Sequence, residues 1–261
     1  MLNVRQDEGG IAMNARIYGE KRDISYDKTM EFFEGRGNNK NLQHKYNYVL
    51  FQDDEPELAV RRDSFEKDKI GKLLRWEEGE TVLDIGCGVG RWGEEVIDRG
   101  LTYIGVDFSG KLLKIAEENL DRFSKPYLLF EDSFQNAKEV LYQRTDYKMV
   151  DKIFINGVMM YINDADLEKG LQDISSICSP NCEIYIKESM ATEERLTLSE
   201  YYSESLSQDY TVIYRSIGDY RQLMDKYFVK EGFRITSQDF LFDEELRNRK
   251  ETADYYMILK R

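Results

Sequence analysis

Histidine, cysteine and proline are scarce in this sequence of 261 residues, which holds one, three and three of them. Three cysteines do not suggest a disulfide framework, and a single histidine leaves too few ligands for a zinc site. With so few prolines, and with no repeat or low-complexity tract, the chain shows no obvious linker. We therefore expect one folded unit in a reducing compartment, the cytoplasm.

Long apolar runs are also missing. The longest stretch without a charged residue, Ile153 to Asn163, is far too short to cross a bilayer. The first ten residues, MLNVRQDEGG, contain no apolar segment of the kind that a secretion signal needs. The sequence therefore predicts neither a membrane span nor export.

Positive charge is in deficit. The chain has 37 Lys and Arg against 50 Asp and Glu, a formal net charge of -13. This excess repels polyanions over most of the surface. We therefore expect no nucleic-acid partner, although the balance of 41% hydrophobic and 33% charged residues is that of an ordinary globular protein.

Aromatic residues, by contrast, are abundant. The chain has 18 Tyr and 13 Phe, and with Trp they make up 13% of it. Many of the tyrosines fall outside any regular core pattern, and their hydroxyls can bind polar groups. We expect some of these phenols to line a pocket for a polar molecule.

Short apolar runs alternate with helical periodicity from Thr81 onward. This is the pattern of a parallel sheet covered by helices on both faces. Ser109 and Asn163 are predicted to cap two of the helices. Five runs rich in Val, Ile, Tyr or Phe predict strands at 81–85, 103–106, 127–130, 149–155 and 183–186.

The regular alternation ends after the fifth strand. Residues of about 190–216 are polar and rich in Glu and Tyr, and they predict an insertion with one strand at 211–215. Two later extended segments, 233–242 and 255–259, would close the sheet as a hairpin, which gives seven strands. Before the sheet, 57–76 predicts one amphipathic helix, so that 1–56 is an aromatic arm or lid ahead of a domain spanning 57–261.

The first predicted strand runs directly into a glycine-rich turn, Asp84-Ile85-Gly86-Cys87-Gly88-Val89-Gly90-Arg91, and a helical segment follows. Together they form a cradle for a cofactor, because glycine allows unusual backbone angles and lets a ligand approach the main chain. Dinucleotide folds place the third glycine one position later, where this chain has Arg91. A nicotinamide or flavin cofactor is therefore disfavoured.

Acidic residues come at the ends of the next two strands. Asp107 follows Gly90 by 17 positions, where a carboxylate can accept both ribose hydroxyls of an adenosine. Asp132 ends the third strand, where it could meet an adenine amino group while Phe134 covers the ring. Phe108 and Ser133, beside these acids, complete the predicted nucleoside-binding set.

The run from Val82 to Asp107 resembles the opening of a class I S-adenosylmethionine-dependent methyltransferase, and the resemblance extends over about 57–261. It implies an α/β fold: a Rossmann-like, mostly parallel, seven-stranded sheet with helices on both faces and an antiparallel last strand. The N-terminal helical and aromatic arm would precede this domain. S-adenosylmethionine is the cofactor that the resemblance implies.

The resemblance also implies roles for individual residues. Asp84 would serve the ammonium group of the cofactor directly or through water, and Asp107 would hold the ribose. Arg91 could meet the cofactor carboxylate or a substrate anion, or could equally cap the helix cluster. Residues expected to approach the methionine moiety or to flank the donor methyl are Gly86, Gly88, Gly90, Asn156 and Gly157.

The expected chemistry asks little of the protein, because a sulfonium already activates its methyl group. The chain has to orient an acceptor and exclude water. An amine need only arrive unprotonated, whereas a hydroxyl gains from a general base, and the sequence leaves N- and O-methylation open. The fourth strand ends in Asn156-Gly157-Val158 without a carboxylate, so we predict no metal.

Two residues are candidate catalytic groups. His44 lies in the arm, and histidine is a common general base in enzymes, although a surface histidine is an equal alternative. Glu188 ends the fifth strand, at the edge where open α/β sheets bind ligands, and it could position an amine or accept a proton. A helix cap or a surface salt bridge is the alternative for Glu188.

Acceptor-binding residues are predicted on the arm, at the strand ends and in the insertion. The strand end Lys187-Glu188-Ser189, with the later Tyr214-Arg215-Ser216, resembles natural-product or sugar methyltransferases and also protein amino-terminal methyltransferases, whose usual substrate signature is not evident. The predicted residues are Tyr26, Tyr46, Tyr161, Lys187, Tyr202 and Arg215.

The sequence thus predicts an N- or O-methyltransferase acting on a small polar acceptor, such as an amino sugar or another specialised metabolite. A methyltransferase for a peptide or protein amino terminus is the enzymatic alternative. A scaffold or sensor that only binds S-adenosylmethionine is the alternative from a different class. The sequence does not decide whether the chain forms a homo-oligomer.

Overall fold

The computed structural model describes residues 16–203, 206, 208–247 and 249–261, without the side chain of Glu244. The first 15 residues of the predicted arm therefore lie outside the described part. In chain order the elements are β1 (Arg16–Tyr18), α1 (Tyr26–Asn38), α2 (Asn47–Leu50), α3 (Pro56–Gly71), β2 (Thr81–Ile85), α4 (Arg91–Asp98), β3 (Thr102–Asp107), α5 (Gly110–Asp121), β4 (Leu128–Glu131), α6 (Ala137–Arg144), β5 (Val150–Asn156), α7 (Asp164–Ser176), β6 (Cys178–Ala191), β7 (Leu196–Ser203), β8 (Gln208–Tyr214), α8 (Ile217–Tyr227), β9 (Arg234–Phe240) and β10 (Thr252–Lys260).

The main sheet has seven strands in the order β4-β3-β2-β5-β6-β10-β9. The first five of these are parallel, whereas β10 runs antiparallel to both β6 and β9. The last strand of the chain is thus inserted antiparallel next to β6, which confirms the predicted fold class. Because parallel strands end at the same edge, β2, β3, β4, β5 and β6 deliver their following loops to one side of the sheet.

Helices cover both faces of this sheet, as the alternating sequence pattern predicts. One core contains Val140 of α6, Leu171 of α7 and Met224 of α8, packed on one face. The other contains Ile70 of α3 and Val96 of α4 among its buried residues. Strands buried on both faces need near-continuous apolar runs, and this explains why they were visible in the sequence.

A second, three-stranded sheet has the order β1-β7-β8. The sequence pattern predicts only one strand in this insertion, at 211–215. Leu198 on β7 and Val212 on β8 are paired and buried, and they share a third core with Phe32 of α1. Tyr210 and Tyr214 belong to the same core, so residues that made the insertion look polar in the sequence are in part buried.

Several boundaries also differ from expectation. The helix predicted over 57–76 ends at Gly71 because the chain turns there, with the amides of Leu73 and Leu74 donating to the Ile70 carbonyl. Ser109 caps α5 as predicted, since its hydroxyl accepts from the Leu112 amide. Asn163 precedes α7 but makes no side-chain cap, because its amide group instead bonds to the backbone of Ile24 in the arm.

Candidate active site

A cavity of about 380 Å³ opens at the carboxyl edge of the parallel strands. Helices α1 and α2 of the arm form its roof. Among the described residues, every predicted cofactor residue except Gly90 lines it. The lining residues used below are Tyr26, Val49, Phe51, Asp84, Gly86, Gly88, Arg91, Asp107, Phe108, Asp132, Ser133, Phe134, Gln135, Asn156, Gly157, Val158, Tyr161 and Lys187.

The glycine turn after β2 is closely packed on both sides. Gly86 and Gly88 have φ angles of 73° and 54°, in the left-handed region that favours glycine. A Cβ atom at Gly86 would lie 2.1 Å from Val158 Cγ2, and one at Gly88 would lie 2.7 Å from Val49 Cγ1. Glycine is therefore required at both positions, and the turn presents bare backbone to the cavity. Gly90 instead forms the N-cap of α4 with a φ of 74°.

Asp107, at the end of β3, is buried beside this turn. Its Oδ2 accepts from the Gly88 amide at 2.8 Å and its Oδ1 from the Ser109 amide at 2.9 Å. Burial raises the pKa of Asp107 to about 6, and the two backbone donors act against that rise. Each carboxylate oxygen retains acceptor capacity, so the group can take further hydroxyl donors from a ligand in the cavity.

The end of the cavity beyond β4 holds a residue that the sequence analysis missed. Gln135 lines the cavity, and its Oε1 is buried without a hydrogen-bond partner among the described residues. Such an atom calls for a donor from a ligand or from water. The predicted adenine acceptor Asp132 also lines the cavity, where its Oδ1 accepts from the Ser133 amide and from Asn136 Nδ2 and its Oδ2 lies 3.8 Å from Arg144 Nη1. The Phe134 ring packs so closely on Gly170 that a Cβ there would be 2.4 Å away.

Asp84 lies below the glycine turn at the end of β2. Its Oδ2 accepts from the Tyr103 hydroxyl at 2.8 Å. Burial raises the pKa of Asp84 to about 7, and the charge of Asp107 contributes to the rise. A cation placed near this carboxylate would reverse the effect and favour the ionised form.

Arg91 lines the cavity, but its guanidinium donates hydrogen bonds to two acidic residues of α3. Its Nη1 donates to Asp63 Oδ1 at 2.7 Å, and its Nη2 donates to both oxygens of Glu66 at 2.9 Å. The positive charge holds the pKa of Glu66 at about 2 despite complete burial. The geometry favours a structural ion pair between α3 and α4 over either role expected for Arg91.

Neither predicted catalytic residue lines the cavity. His44 lies in the turn before α2, where its Nδ1 accepts from the Tyr46 amide at 3.2 Å. Glu188 is fully buried behind the loop after β5, and its carboxylate accepts from the amides of Val158, Met159 and Met160. Burial raises the pKa of Glu188 to about 7. Glu188 therefore fixes a loop of the cavity wall, which corrects the expectation that it acts on an acceptor.

Three of the six predicted acceptor residues line the cavity: Tyr26, Tyr161 and Lys187. The Tyr26 hydroxyl donates to Asp166 Oδ2 at 2.6 Å and accepts from the Asn163 amide at 3.0 Å. The pKa of Tyr26 is raised to about 12, first by burial and then by Asp166.

The other three lie elsewhere. Tyr46 is buried and donates to Glu94 Oε2 at 2.7 Å, and Tyr202 is 47% exposed on β7. Arg215 is buried, where it pairs with Asp164 and donates to the Met159 and Ile162 carbonyls. Arg215 thus ties the second sheet to the loop after β5, and no local sequence pattern indicates these distant partners.

Two features are missing from the described residues. They contain no group of three or more His, Cys, Asp or Glu side chains arranged to hold a metal ion. No helix among them is both long and apolar enough to cross a membrane.

Comparison with known proteins identifies the domain. Residues 83–184 match the Methyltransf_12 family model, described as a methyltransferase domain. This range runs from β2 through the glycine turn to β6 and includes Asp107. The chain contains a class I S-adenosylmethionine-dependent methyltransferase domain.

Relatives of this methyltransferase domain differ in what they act on. Phosphoethanolamine N-methyltransferase 1 of Triticum aestivum is 29% identical over 128 residues, which are 49% of this chain and 25% of that protein. A Methanocaldococcus jannaschii protein named as a ribosomal RNA large subunit methyltransferase is 25% identical over 177 residues, 67% of this chain and 42% of that protein. The chain thus matches less than half the length of either relative.

A solved structure supports the methyltransferase fold. Phosphoethanolamine N-methyltransferase 1 of Haemonchus contortus, in complex with phosphoethanolamine and S-adenosylhomocysteine, superposes with a TM-score of 0.64. It is 16% identical, and the match covers 91% of this chain and 50% of the other. At this identity the likeness establishes the fold alone.

Proposed function

We propose that the chain binds S-adenosylmethionine in the main cavity and transfers its methyl group to a small polar acceptor. The observation that carries this proposal is the convergence of three features in one cavity of a methyltransferase domain. They are the bare glycine turn, the buried carboxylate of Asp107 and the unpartnered Oε1 of Gln135.

The residues present fit the cofactor. Asp107 would accept the ribose hydroxyls, and Gln135 Oε1 would accept from the adenine amino group, which supplies the donor that it lacks. The turn at Gly86 and Gly88 would lie against the methionine moiety, and Asp84 would serve its ammonium group. In these roles Asp107 and Asp84 keep the assignments expected from the sequence, whereas Gln135 takes the one expected for Asp132.

The cofactor supplies a methyl group already activated for transfer by its sulfonium. The chain's part is to hold the acceptor in line and to exclude water. The roof provides this exclusion, since Val49 and Phe51 of the arm line the cavity and Val49 packs directly on Gly88 of the glycine turn. Asn156 and Gly157, at the end of β5, form the wall between the cofactor side and the acceptor side.

An amine acceptor suits the site better than a hydroxyl. A hydroxyl gains from a general base, but His44 and Glu188 do not line the cavity. Lys187 does line it, and its ammonium group cannot accept a proton while it is charged. We therefore propose N-methylation, in which the amine has only to arrive unprotonated.

The relatives indicate which acceptors to test first. Phosphoethanolamine is a small amine of the proposed class, and two of the three similar proteins described above carry it in their names. A ribosomal RNA substrate fits less well, because a net charge of -13 opposes polyanion binding. The three buried free cysteines suit the cytoplasmic location proposed from the sequence.

The experiment is a methyl-transfer assay with S-adenosylmethionine labelled in its methyl group. Separate reactions contain small amines, including phosphoethanolamine, small alcohols, and peptides with free amino termini. Label in the small-amine fraction, lost in Asp107→Ala and kept in the exposed control Asp98→Ala, supports the proposal. Label only in peptides would favour the amino-terminal methyltransferase. Cofactor binding without any transfer would favour a scaffold or sensor.

A further inference from the structure

A second, smaller cavity of about 80 Å³ adjoins the main one. The two share Gly157, Tyr161 and Lys187, together with the arm residues 49–51. Of the two residues proposed to form the wall between the cofactor side and the acceptor side, Gly157 lines both cavities and Asn156 lines only the main one. The small cavity is therefore taken as a continuation of the acceptor side.

Positive charge is concentrated around the small cavity. Its lining includes four cationic side chains, Arg62, Lys187, Arg247 and Arg249, and one acidic side chain, Asp254. A local excess of this kind stands out in a chain with a net charge of -13. A cluster of cations attracts anions locally, although the chain repels them over most of its surface.

Three of these cations lack an ionic partner in the described part of the molecule. No described carboxylate forms an ion pair within 4.0 Å of Lys187, Arg247 or Arg249, whereas many other Lys and Arg residues do. Asp254 accepts from the Ser189 hydroxyl at 2.8 Å, and its charge acts on Arg249 only at longer range. Arg247 donates one hydrogen bond, from its Nε, to the Phe242 carbonyl.

The phenols of Tyr161 and Tyr210 line the same cavity, and that of Tyr214 contacts Arg249. Arg249 Nη1 donates to the Tyr214 hydroxyl at 3.1 Å, and the hydroxyls of Tyr161 and Tyr210 lie 2.5 Å apart. Neutral phenols do not compensate the charge of a guanidinium. They do add hydroxyl donors around it, and a guanidinium with free N–H groups binds carboxylate and phosphate oxygens in a bidentate manner.

We propose that the small cavity binds an anionic group, a phosphate or a carboxylate, carried by the methyl acceptor. Arg247 and Arg249 provide its specific contacts, and Lys187 lies between this anion and the donor side. The acceptor would thus extend from the small cavity past Gly157, so that its nucleophile reaches the main cavity. This inference rests on the proposed function, and it narrows the acceptor to acidic or zwitterionic small molecules.

The test uses the full chain saturated with S-adenosylhomocysteine, so that the main cavity is filled by a known ligand. Inorganic phosphate, acetate and methylammonium are titrated separately by calorimetry. The variants are Arg249→Met and Arg247→Met, and the control is Arg234→Met, an exposed arginine on β9. Lys187 is left unchanged because it lines both cavities.

We expect phosphate or acetate to bind and methylammonium not to bind. Each of Arg249→Met and Arg247→Met should weaken the binding of the anion by about tenfold, the effect of losing one charge-assisted hydrogen bond. Arg234→Met should bind the anion as the parent chain does. Stronger binding of phosphate than of acetate would identify a phosphorylated acceptor, and the reverse order a carboxylate.

Two results would overturn the proposal: no anion binding at all, or anion affinities that are the same in both variants as in Arg234→Met. The affinity for S-adenosylhomocysteine is measured in every variant and should stay unchanged. If S-adenosylhomocysteine itself does not bind, the proposed function fails, and anion binding to the ligand-free chain still tests the small cavity. The two failures are therefore distinguishable.

Discussion

Burial sets the charge state of the two acidic residues that line the cofactor side. Asp84 and Asp107 have pKa values raised to about 7 and about 6, because both lie away from water. A cofactor that brings hydroxyl donors and an ammonium group stabilises their ionised forms. Binding and deprotonation of these acids are therefore linked.

The sign of this linkage can be predicted. Ribose hydroxyls that donate to Asp107 lower its pKa in the complex, so the complex holds fewer protons than the free chain near pH 6. The affinity for S-adenosylhomocysteine should therefore fall as pH drops from 7 to 5, by up to about tenfold per unit for one group. Calorimetry across this range measures it.

Asp107→Asn tests which residue is responsible. Loss of the charged hydrogen-bond acceptor should weaken the binding of S-adenosylhomocysteine at pH 7.5 by about tenfold or more. The substitution should also reduce the pH dependence of this affinity, and the dependence that remains is assigned to Asp84. Asp98→Asn, on the exposed end of α4, is the control. An unchanged affinity in a folded Asp107→Asn chain would remove the assigned role.

His44 offers a second prediction at this scale. Because its ring lies outside the cavity, His44→Asn should change the methyl-transfer rate by less than about threefold, whereas loss of a general base costs about 100-fold or more. Asparagine keeps an acceptor for the Tyr46 amide. The rate at saturating acceptor is the measurement, and a loss near 100-fold would restore His44 as the base.

Among the elements, the roof depends on one buried arginine. Arg36 of α1 forms an ion pair with Asp53 and donates to the Asn47 carbonyl, so it ties α1 to the segment that carries Val49 and Phe51 over the glycine turn. Phe51 and Gln52 have positive φ angles of 59° and 62° without being glycine. Such backbone persists only when its surroundings hold it.

Arg36→Met should therefore loosen the roof. We expect faster amide exchange in residues 44–55, weaker binding of S-adenosylhomocysteine, and a loss of about 1–3 kcal/mol in the free energy of unfolding. Arg61→Met is the matched control, because its pair with Glu55 is exposed and is expected to contribute about 0–1 kcal/mol. Equal exchange in the two variants, measured by mass spectrometry, would contradict this account of the roof.

The sequence was informative where one local pattern decides an element. The glycine turn needs glycine for reasons internal to it, and strands such as β5 are buried on both faces, so both could be predicted from spacing and apolar runs. The role of Glu188 depends on amides 28 to 30 residues away. No local signal reveals such contacts.

The same limit explains the other misplaced site residues. Tyr46 was a candidate because it lies in the predicted arm, and Arg215 because it ends the strand predicted in the insertion. Their buried partners, Asp164 and Glu94, lie about 50 residues away in the chain. Gln135 was missed because a lone glutamine carries no pattern, and only its unpartnered oxygen in the folded chain singles it out.

At the scale of the whole molecule, a buried ion network joins the helix before the sheet to the helix after the glycine turn. Arg91 pairs with Asp63 and Glu66, and Tyr185 and Trp92 also donate to Glu66. Breaking such a network by removing one member leaves an uncompensated buried charge. The glycine turn thus depends on ion pairs with α3, whose Asp63 and Glu66 do not line the cavity.

Arg91→Met should lower the free energy of unfolding by about 3–5 kcal/mol. Arg99→Met is the control, because its pair with Glu95 is half-exposed and should cost about 1 kcal/mol or less. Urea denaturation of both variants measures the difference. Similar losses in the two would show that the network contributes no more than a surface pair.

The network also predicts a pH dependence. The folded-state pKa of Glu66 is lowered to about 2 from 4.5, so its contribution to stability is present above pH 4.5 and is lost as pH falls toward 2. In Glu66→Gln this acid-dependent part should disappear. The free energy of unfolding between pH 6 and pH 3 provides the check, and an unchanged slope in the variant would contradict it.

The measurement that tests the central claim most directly is a thermal-shift titration of the chain with S-adenosylmethionine, S-adenosylhomocysteine and NAD. A ligand at 100 times its Kd stabilises the native state by about 2.7 kcal/mol. For a chain of this size that corresponds to several degrees, at about 2–4 °C per kcal/mol. The account predicts such a shift with both sulfur ligands and none with NAD. No shift with either sulfur ligand, or an equal shift with NAD, would contradict it.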